Sequence, residues 1–172
     1  MPNRRKERPD PAAMHQNAQV AALSGLARGD DVEDIVLSIY PYDVQHWFTP
    51  DVAILELAVT ALQLATPTGS EPLEYEGLRE RYLPELRFRG RVEHRSSQYA
   101  LYAAACMRGG LQPDLLNDAG WWQTRLWIYA VYALIIYVRA AAERLAESPE
   151  DVVRRIAERH DLRLEVEKPS EL

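Results

Sequence analysis

The stretch from Leu126 to Val138 is a run of 13 apolar and aromatic residues without a charge, inside a segment, 120–145, that holds three of the four tryptophans. A helix that crosses a membrane needs about 20 apolar residues. The run is too short for that, and Arg125 and Arg139 at its two ends would be costly in hydrocarbon. The stretch therefore predicts a helix buried in protein, and we expect no membrane partner.

As a helix, this segment is apolar on every side rather than on one face. Such a helix is typical of the centre of a helical bundle, or of a bundle member that also forms a subunit interface. Tyrosine hydroxyls inside a core need polar partners, so the aromatic residues are also candidates for a ligand pocket. The candidates for a ligand pocket or an interface are Trp122, Tyr129 and Tyr132.

Start signals for further helices recur along the chain. Asp10, Thr49 and Ser148 each stand immediately before a proline, which is the pattern of an N-cap followed by proline in the first turn. The short tail from Leu162 alternates apolar and charged residues, which predicts an extended strand docked on the helices. The sequence thus predicts an all-α, single-domain bundle of about six or seven helices around a long central aromatic-rich helix.

The length of 172 residues suits one domain. We expect a flexible basic arm at 1–10, the helical bundle at 11–167 and a flexible tail at 168–172. The amino terminus is charged and no apolar segment follows it, so it does not have the composition of a signal peptide.

Charge and cysteine content restrict the partners and the compartment. The net charge of −6 opposes general attachment to nucleic acid or to an anionic membrane. The single cysteine, Cys106, can form no internal disulfide, which favours the cytoplasm. Arginine outnumbers lysine 18 to 2, which, with the abundant alanine, indicates a bacterial gene rich in G and C.

One local exception to the acidic character is the segment "RFRGRVEHR". If it is extended, alternate arginines project to one side and form a cluster of planar donors suited to phosphate or carboxylate. The alternative is that these arginines pair with nearby carboxylates such as Glu85 and Glu93. The candidate anion-binding residues are Arg87, Arg89, Arg91 and Arg95, with His94 as the candidate catalytic acid or base.

Two arginine–histidine pairs have the spacing Arg-x4-His, namely Arg89 with His94 and Arg155 with His160. This spacing resembles the short motif of HEPN ribonucleases, a family of small helical bundles, and implies a histidine that acts on RNA beside a phosphate-binding arginine. The resemblance covers six residues at a time. Because Gly90 and Ile156 stand where that family usually has a polar residue, the family is not assigned.

Other motifs for chemistry are not found in the sequence. The four histidines are scattered and show no metal-ligand spacing, so we expect no metal site. Asp43 and His46 lie beside Trp47 without a second ligand pair, which favours a structural role. Signatures of nucleotide and dinucleotide binding are also absent, and we expect no cofactor.

Three functions are compatible with these features of the sequence. The first is a non-catalytic binding or regulatory protein that acts through protein–protein interaction, with a protein partner or with itself as a homo-oligomer joined through an aromatic helix face. The second is an enzyme that acts on RNA or a phosphate-bearing ligand such as a nucleotide through the arginine and histidine cluster. The third is a small-molecule sensor with an aromatic pocket.

Overall fold

Seven α-helices form most of the described chain in a computed structural model that covers residues 10–44, 47–109, 125 and 127–165. The helices are α1 (Pro11–Arg28), α2 (Val32–Ile39), α3 (Asp51–Ala65), α4 (Tyr75–Tyr82), α5 (Arg91–Gly109), α6 (Trp127–Leu145) and α7 (Pro149–Arg159). Two 3-10 turns, Tyr40–Tyr42 and Pro84–Phe88, follow α2 and α4. The described residues contain no β-strand. The prediction of an all-α, single-domain helical bundle is confirmed.

Side-chain caps mark the start of three of the described helices, α1, α2 and α7. The side chains of Asp10 and Ser148 each accept a hydrogen bond from a first-turn amide, of α1 and α7 respectively, as their positions before a proline predict. Gly29 ends α1 in the left-handed conformation, with φ 75°. For α3 the capping prediction is wrong. Pro50, not Thr49, occupies the cap position, and it makes no side-chain hydrogen bond.

Helix α6 packs most extensively on α3 and also contacts α2, α4, α5 and α7. Every residue from 130 to 138 is buried, as is Trp127 at the start of the helix. Burial of this apolar surface, at about 25 cal/mol per Å², is what holds the neighbouring helices on α6. Only Ile128 and Tyr129 of its apolar first turn are half-buried, so the described part of the helix leaves little apolar surface for a subunit interface. Trp122 lies outside the described residues.

The chain after α7 returns to α1. The amide of Glu165 donates to Ser24 Oγ at 3.2 Å, and Arg28 donates to the Glu165 carbonyl at 3.3 Å. The segment therefore docks on the bundle as predicted, but it forms no strand because its hydrogen bonds go to side chains rather than to another extended backbone.

No helix within the described ranges is both long enough and apolar enough to cross a membrane. Helix α6 contains Arg139 and Arg144 in its second half, and both side chains are exposed.

Candidate binding site

The segment that carries the predicted arginine cluster is not extended. Residues 84–88 form a 3-10 turn, Gly90 has a positive φ of 35°, and α5 begins at Arg91. The alternation that would have placed Arg87, Arg89 and Arg91 on one side is therefore lost, and the expectation of an extended segment is wrong.

The predicted site residues of this segment have separate surroundings. The Arg87 guanidinium lies 4.8 Å from the centre of the Phe88 ring. Arg95 donates to Gln98 Oε1 at 3.4 Å. Arg91 and His94 are exposed on the first turn of α5. Among the described residues, no hydrogen bond or ion pair joins these side chains to one another or to a shared partner.

Arg89 is the member of the cluster that meets the aromatic helix. Its NH1 lies 3.4 Å from the Tyr132 hydroxyl and 3.5 Å from Glu33 Oε1. The phenol of Tyr132 and the carboxylate of Glu33 raise the pKa of Arg89, so this residue keeps its charge. Two candidates that are 43 residues apart in the sequence are thus neighbours, whereas Tyr129 does not line this site.

Arg89 and Tyr132 lie at a groove of about 450 Å³ between α2, the second 3-10 turn and α6, which we call the Arg89 groove. Its floor contains the buried side chains of Leu83 and Leu86. Its rim carries three carboxylates, from Asp31, Glu33 and Glu85. Three carboxylates outnumber the one guanidinium, so the field in the groove opposes an anionic ligand.

The neighbouring surface exposes a phenylalanine. Phe88 is 78% exposed, the highest value among the large apolar side chains of the described residues. Arg87 and Arg91 stand on either side of it in the sequence, and neither makes an ion pair with a described residue. We call Arg87, Phe88 and Arg91, together with the Arg89 groove, the Phe88 surface. It contains an exposed aromatic anchor, an apolar recess and charges of both signs.

A second polar cluster joins α1, α3 and α7 and was missed by sequence reasoning. His15 Nε2 lies 2.8 Å from Glu56 Oε2, and Gln19 donates to the same oxygen at 3.0 Å. One helical turn along α3, Thr60 Oγ1 lies 2.7 Å from His160 Nε2. The residues come from distant parts of the chain, and the only signal in the sequence was the polar stripe of α3 that contains Glu56 and Thr60.

The electrostatics of this cluster favour a charged Glu56. Burial raises the pKa of Glu56, but the bonds from His15 and Gln19 outweigh burial and hold the pKa below its ordinary value. Burial lowers the pKa of His160, which favours the neutral imidazole. No group of three or more His, Cys, Asp or Glu side chains among the described residues is arranged to hold a metal ion.

Replacing Glu56 with glutamine is expected to cost about 1–3 kcal/mol at pH 7, because His15 and Gln19 lose a charged acceptor. The pKa of Glu56 is lowered in the fold, so its stabilisation is present above the unfolded value of 4.5 and is lost as the pH falls below it. Urea denaturation at pH 7 and pH 4 measures the difference. Gln63→Ala, on the exposed part of the same stripe, is the control, and equal stability of Glu56→Gln and wild type at pH 7 would contradict the assignment.

Two buried carboxylates lie near the start of α3. Asp43 Oδ2 accepts from Trp127 Nε1 at 3.0 Å and is 3.4 Å from Arg125 Nε. Burial raises the pKa of Asp51 to about 6, and the neighbouring Asp43 adds to the rise. One oxygen of each carboxylate has no hydrogen-bond partner within the described residues. The sequence placed Asp43 beside His46, which lies outside the described residues, and gave no sign that Asp43 would meet Trp127.

Comparison with known proteins gives no family and no relative. No protein-family model matches the chain, and neither a curated protein nor a solved structure is similar enough to match it. The functional inference therefore depends on the geometry and chemistry of the chain itself.

Proposed function

We propose that the protein is a non-catalytic, cytoplasmic binding protein that acts through protein–protein interaction, and that it associates with a second copy of itself through the Phe88 surface. The observation that carries this proposal is the 78% exposed ring of Phe88 beside a groove with a leucine floor. An exposed aromatic side chain next to an apolar recess is the pattern of an interface anchor and its pocket.

The charges of the Phe88 surface favour a second copy as the partner. A twofold interface brings the same patch of both subunits together, so the patch must be complementary to itself. The groove rim is acidic, whereas Arg87 and Arg91, each two residues from Arg89 of the groove, are basic and make no ion pair with a described residue. A twofold rotation can therefore place the basic part of each copy against the acidic part of the other.

The other two functions have weaker support. A phosphate-directed enzyme needs the arginines and His94 to converge, but the described contacts of these side chains go to different partners and the groove beside Arg89 has an acidic rim. A sensor needs an enclosed aromatic pocket, and of the two proposed pocket residues that the structure describes, Tyr132 lines the Arg89 groove and Tyr129 does not. The buried thiol of Cys106, which has no disulfide partner, is in keeping with the cytoplasm.

Replacing Phe88 with aspartate is expected to convert a dimer into a monomer, because the change removes the anchor and adds a fourth carboxylate to those of Asp31, Glu33 and Glu85. Sedimentation equilibrium measures the mass of each variant. Leu101→Asp is the matched control, since Leu101 is 72% exposed on α5 and does not line the groove. It is expected to remain dimeric, and both variants are expected to unfold at the wild-type temperature.

Charge-reversal variants distinguish specific charge pairing between two copies from non-specific association. One variant carries Glu33→Lys and Glu85→Lys, and the other carries Arg87→Glu and Arg91→Glu. Each alone is expected to be monomeric, because every contact across the twofold axis then joins like charges, whereas the mixture forms a heterodimer. A wild-type protein that stays monomeric at its highest soluble concentration would refute self-association. The broader proposal of a binding protein would still hold if the protein purified from its own cells carried a different protein partner and Phe88→Asp abolished that complex.

A further inference from the structure

A second groove, which shares no residue with the Phe88 surface, lies where the carboxyl ends of α3 and α4 meet the second half of α6. It is an open groove of about 670 Å³. Leu73, Leu78 and Ala140 give it an apolar floor, and Leu73 and Leu78 are only half-buried. Arg81, Glu143 and Arg144 form its edge, and we call it the α6 groove.

The carboxylate at the edge of the α6 groove is already engaged. Glu143 accepts hydrogen bonds from the Arg81 guanidinium and from the Tyr82 hydroxyl. Partial burial raises the pKa of Tyr82, and the hydrogen bond to Glu143 and the charge of that carboxylate add to the rise, so this phenol keeps the proton that it donates. Glu143 is therefore paired with Arg81, and it makes no ion pair with Arg139 or Arg144.

Two further arginines have carbonyl partners instead of carboxylates. Arg144 NH1 donates to the Leu64 carbonyl at 3.1 Å, at the end of α3, and Arg139 NH1 donates to the Tyr82 carbonyl at 2.6 Å, at the end of α4. Neither arginine makes an ion pair with a described residue. Each side chain is thus fixed in place by a helix carboxyl end while its charge stays largely uncompensated.

A guanidinium that donates one N–H to a carbonyl still has further N–H donors, which lie in the plane of the group. These donors can form paired hydrogen bonds with a carboxylate. Arg144 at the edge of the apolar floor and Arg139 on the carbonyl of the lining residue Tyr82 form a local positive site in a chain whose net charge is −6. The complementary ligand has apolar side chains for the floor and carboxylates for the edge. An amphipathic acidic helix has both on neighbouring positions of one face.

We propose that the α6 groove docks an acidic amphipathic helix of a partner protein, with its apolar side chains on Leu73, Leu78 and Ala140 and its carboxylates on Arg139 and Arg144. The open shape of the groove suits a helix laid across the surface better than a small molecule that must be enclosed. This docking site is separate from the Phe88 surface, so a dimer of this chain presents two such grooves.

Two synthetic peptides test the proposal directly. Both are helical and carry leucine at i, i+3, i+4 and i+7, and they differ only in having glutamate or lysine at the charged positions. Titration into isotope-labelled full-length protein is expected to shift the amide resonances of Leu73, Leu78 and Ala140 with the glutamate peptide and not with the lysine peptide. Equal binding of both peptides, no binding of either, or shifts confined to other surfaces would overturn the proposal.

The variant Arg139→Gln/Arg144→Gln removes both charges and keeps an N–H donor for the Tyr82 and Leu64 carbonyls. We expect it to fold as the wild type does and to bind the glutamate peptide at least about tenfold more weakly. Arg154→Gln is the matched control, because Arg154 is an exposed arginine on α7, away from the groove, and it should leave binding unchanged. Unchanged binding in the double variant contradicts the role of the two arginines. The titration is repeated with the Phe88→Asp variant. Binding of the glutamate peptide to this variant shows that docking in the α6 groove does not depend on self-association through the Phe88 surface.

Discussion

Replacing Trp127 with alanine is expected to destabilise the protein by about 3–5 kcal/mol, the usual cost of removing a large aromatic side chain from a core. Trp127 is fully buried, and its ring meets Tyr40 edge to face at a centroid distance of 5.2 Å. Its indole N–H also donates to the buried carboxylate of Asp43. The alanine variant thus loses packing and leaves a buried acceptor with one donor fewer.

Urea denaturation followed by far-UV circular dichroism measures this loss. Trp127→Phe is the partner variant, because it keeps a six-membered aromatic ring in the core and removes the N–H donor together with the smaller ring of the indole. It is expected to cost about 1–3 kcal/mol, the price of weakening a buried charged hydrogen bond. If both variants lose less than about 1 kcal/mol, Trp127 is not a core residue and the packing of α6 at its first turn is wrong.

Replacing Asp51 with asparagine is expected to make the stability of the variant relative to wild type rise by about 2–3 kcal/mol between pH 4 and pH 8. Burial is the main reason that the Asp51 pKa rises from 3.8 in the unfolded chain to about 6. Because the folded state holds this proton more tightly, the stability contributed by the neutral carboxyl is fully present below pH 3.8 and is lost as the pH rises through about 6. Asparagine stays neutral and removes that dependence.

The free energy of unfolding of Asp51→Asn and wild type, measured at several values between pH 4 and pH 8, gives the difference directly. A constant offset is expected from the different hydrogen bonding of the amide, so the slope with pH is the result that matters. Glu158→Gln, an exposed carboxylate on α7, controls for the loss of one charge and should show no such slope. A difference between Asp51→Asn and wild type that does not change with pH would show that Asp51 titrates as it does in the unfolded chain.

The parts of the fold that the sequence predicted correctly depend on neighbouring residues. Asp10 and Ser148 cap α1 and α7 because an oxygen acceptor and the amides that it satisfies lie within three residues of each other. Burial of residues 130–138 follows from an apolar pattern that leaves no polar face for water. The same local reasoning failed at Arg87–Arg91, where buried Leu83 and Leu86 anchor a 3-10 turn that alternation alone did not indicate.

The candidate sites were only partly predictable. Arg89 and Tyr132 were each singled out, but their contact was not, and Phe88 gained importance only when its ring proved to be exposed. Arg139 and Arg144 were counted among many arginines in the sequence. What distinguishes them is that their partners are the carbonyl groups at the ends of two other helices, a fact about tertiary packing.

By itself, the sequence determined the all-α class, most helix ends and the burial of α6, since capping and hydrophobic periodicity act over one or two turns. Only the tertiary structure decided which side chains meet across helices: Arg89 with Tyr132, His15 with Glu56, and Trp127 with Asp43. The physical reason is that each of these pairs is 41 to 84 residues apart in the chain. Their distances are set by how whole helices pack, and no local pattern records that packing.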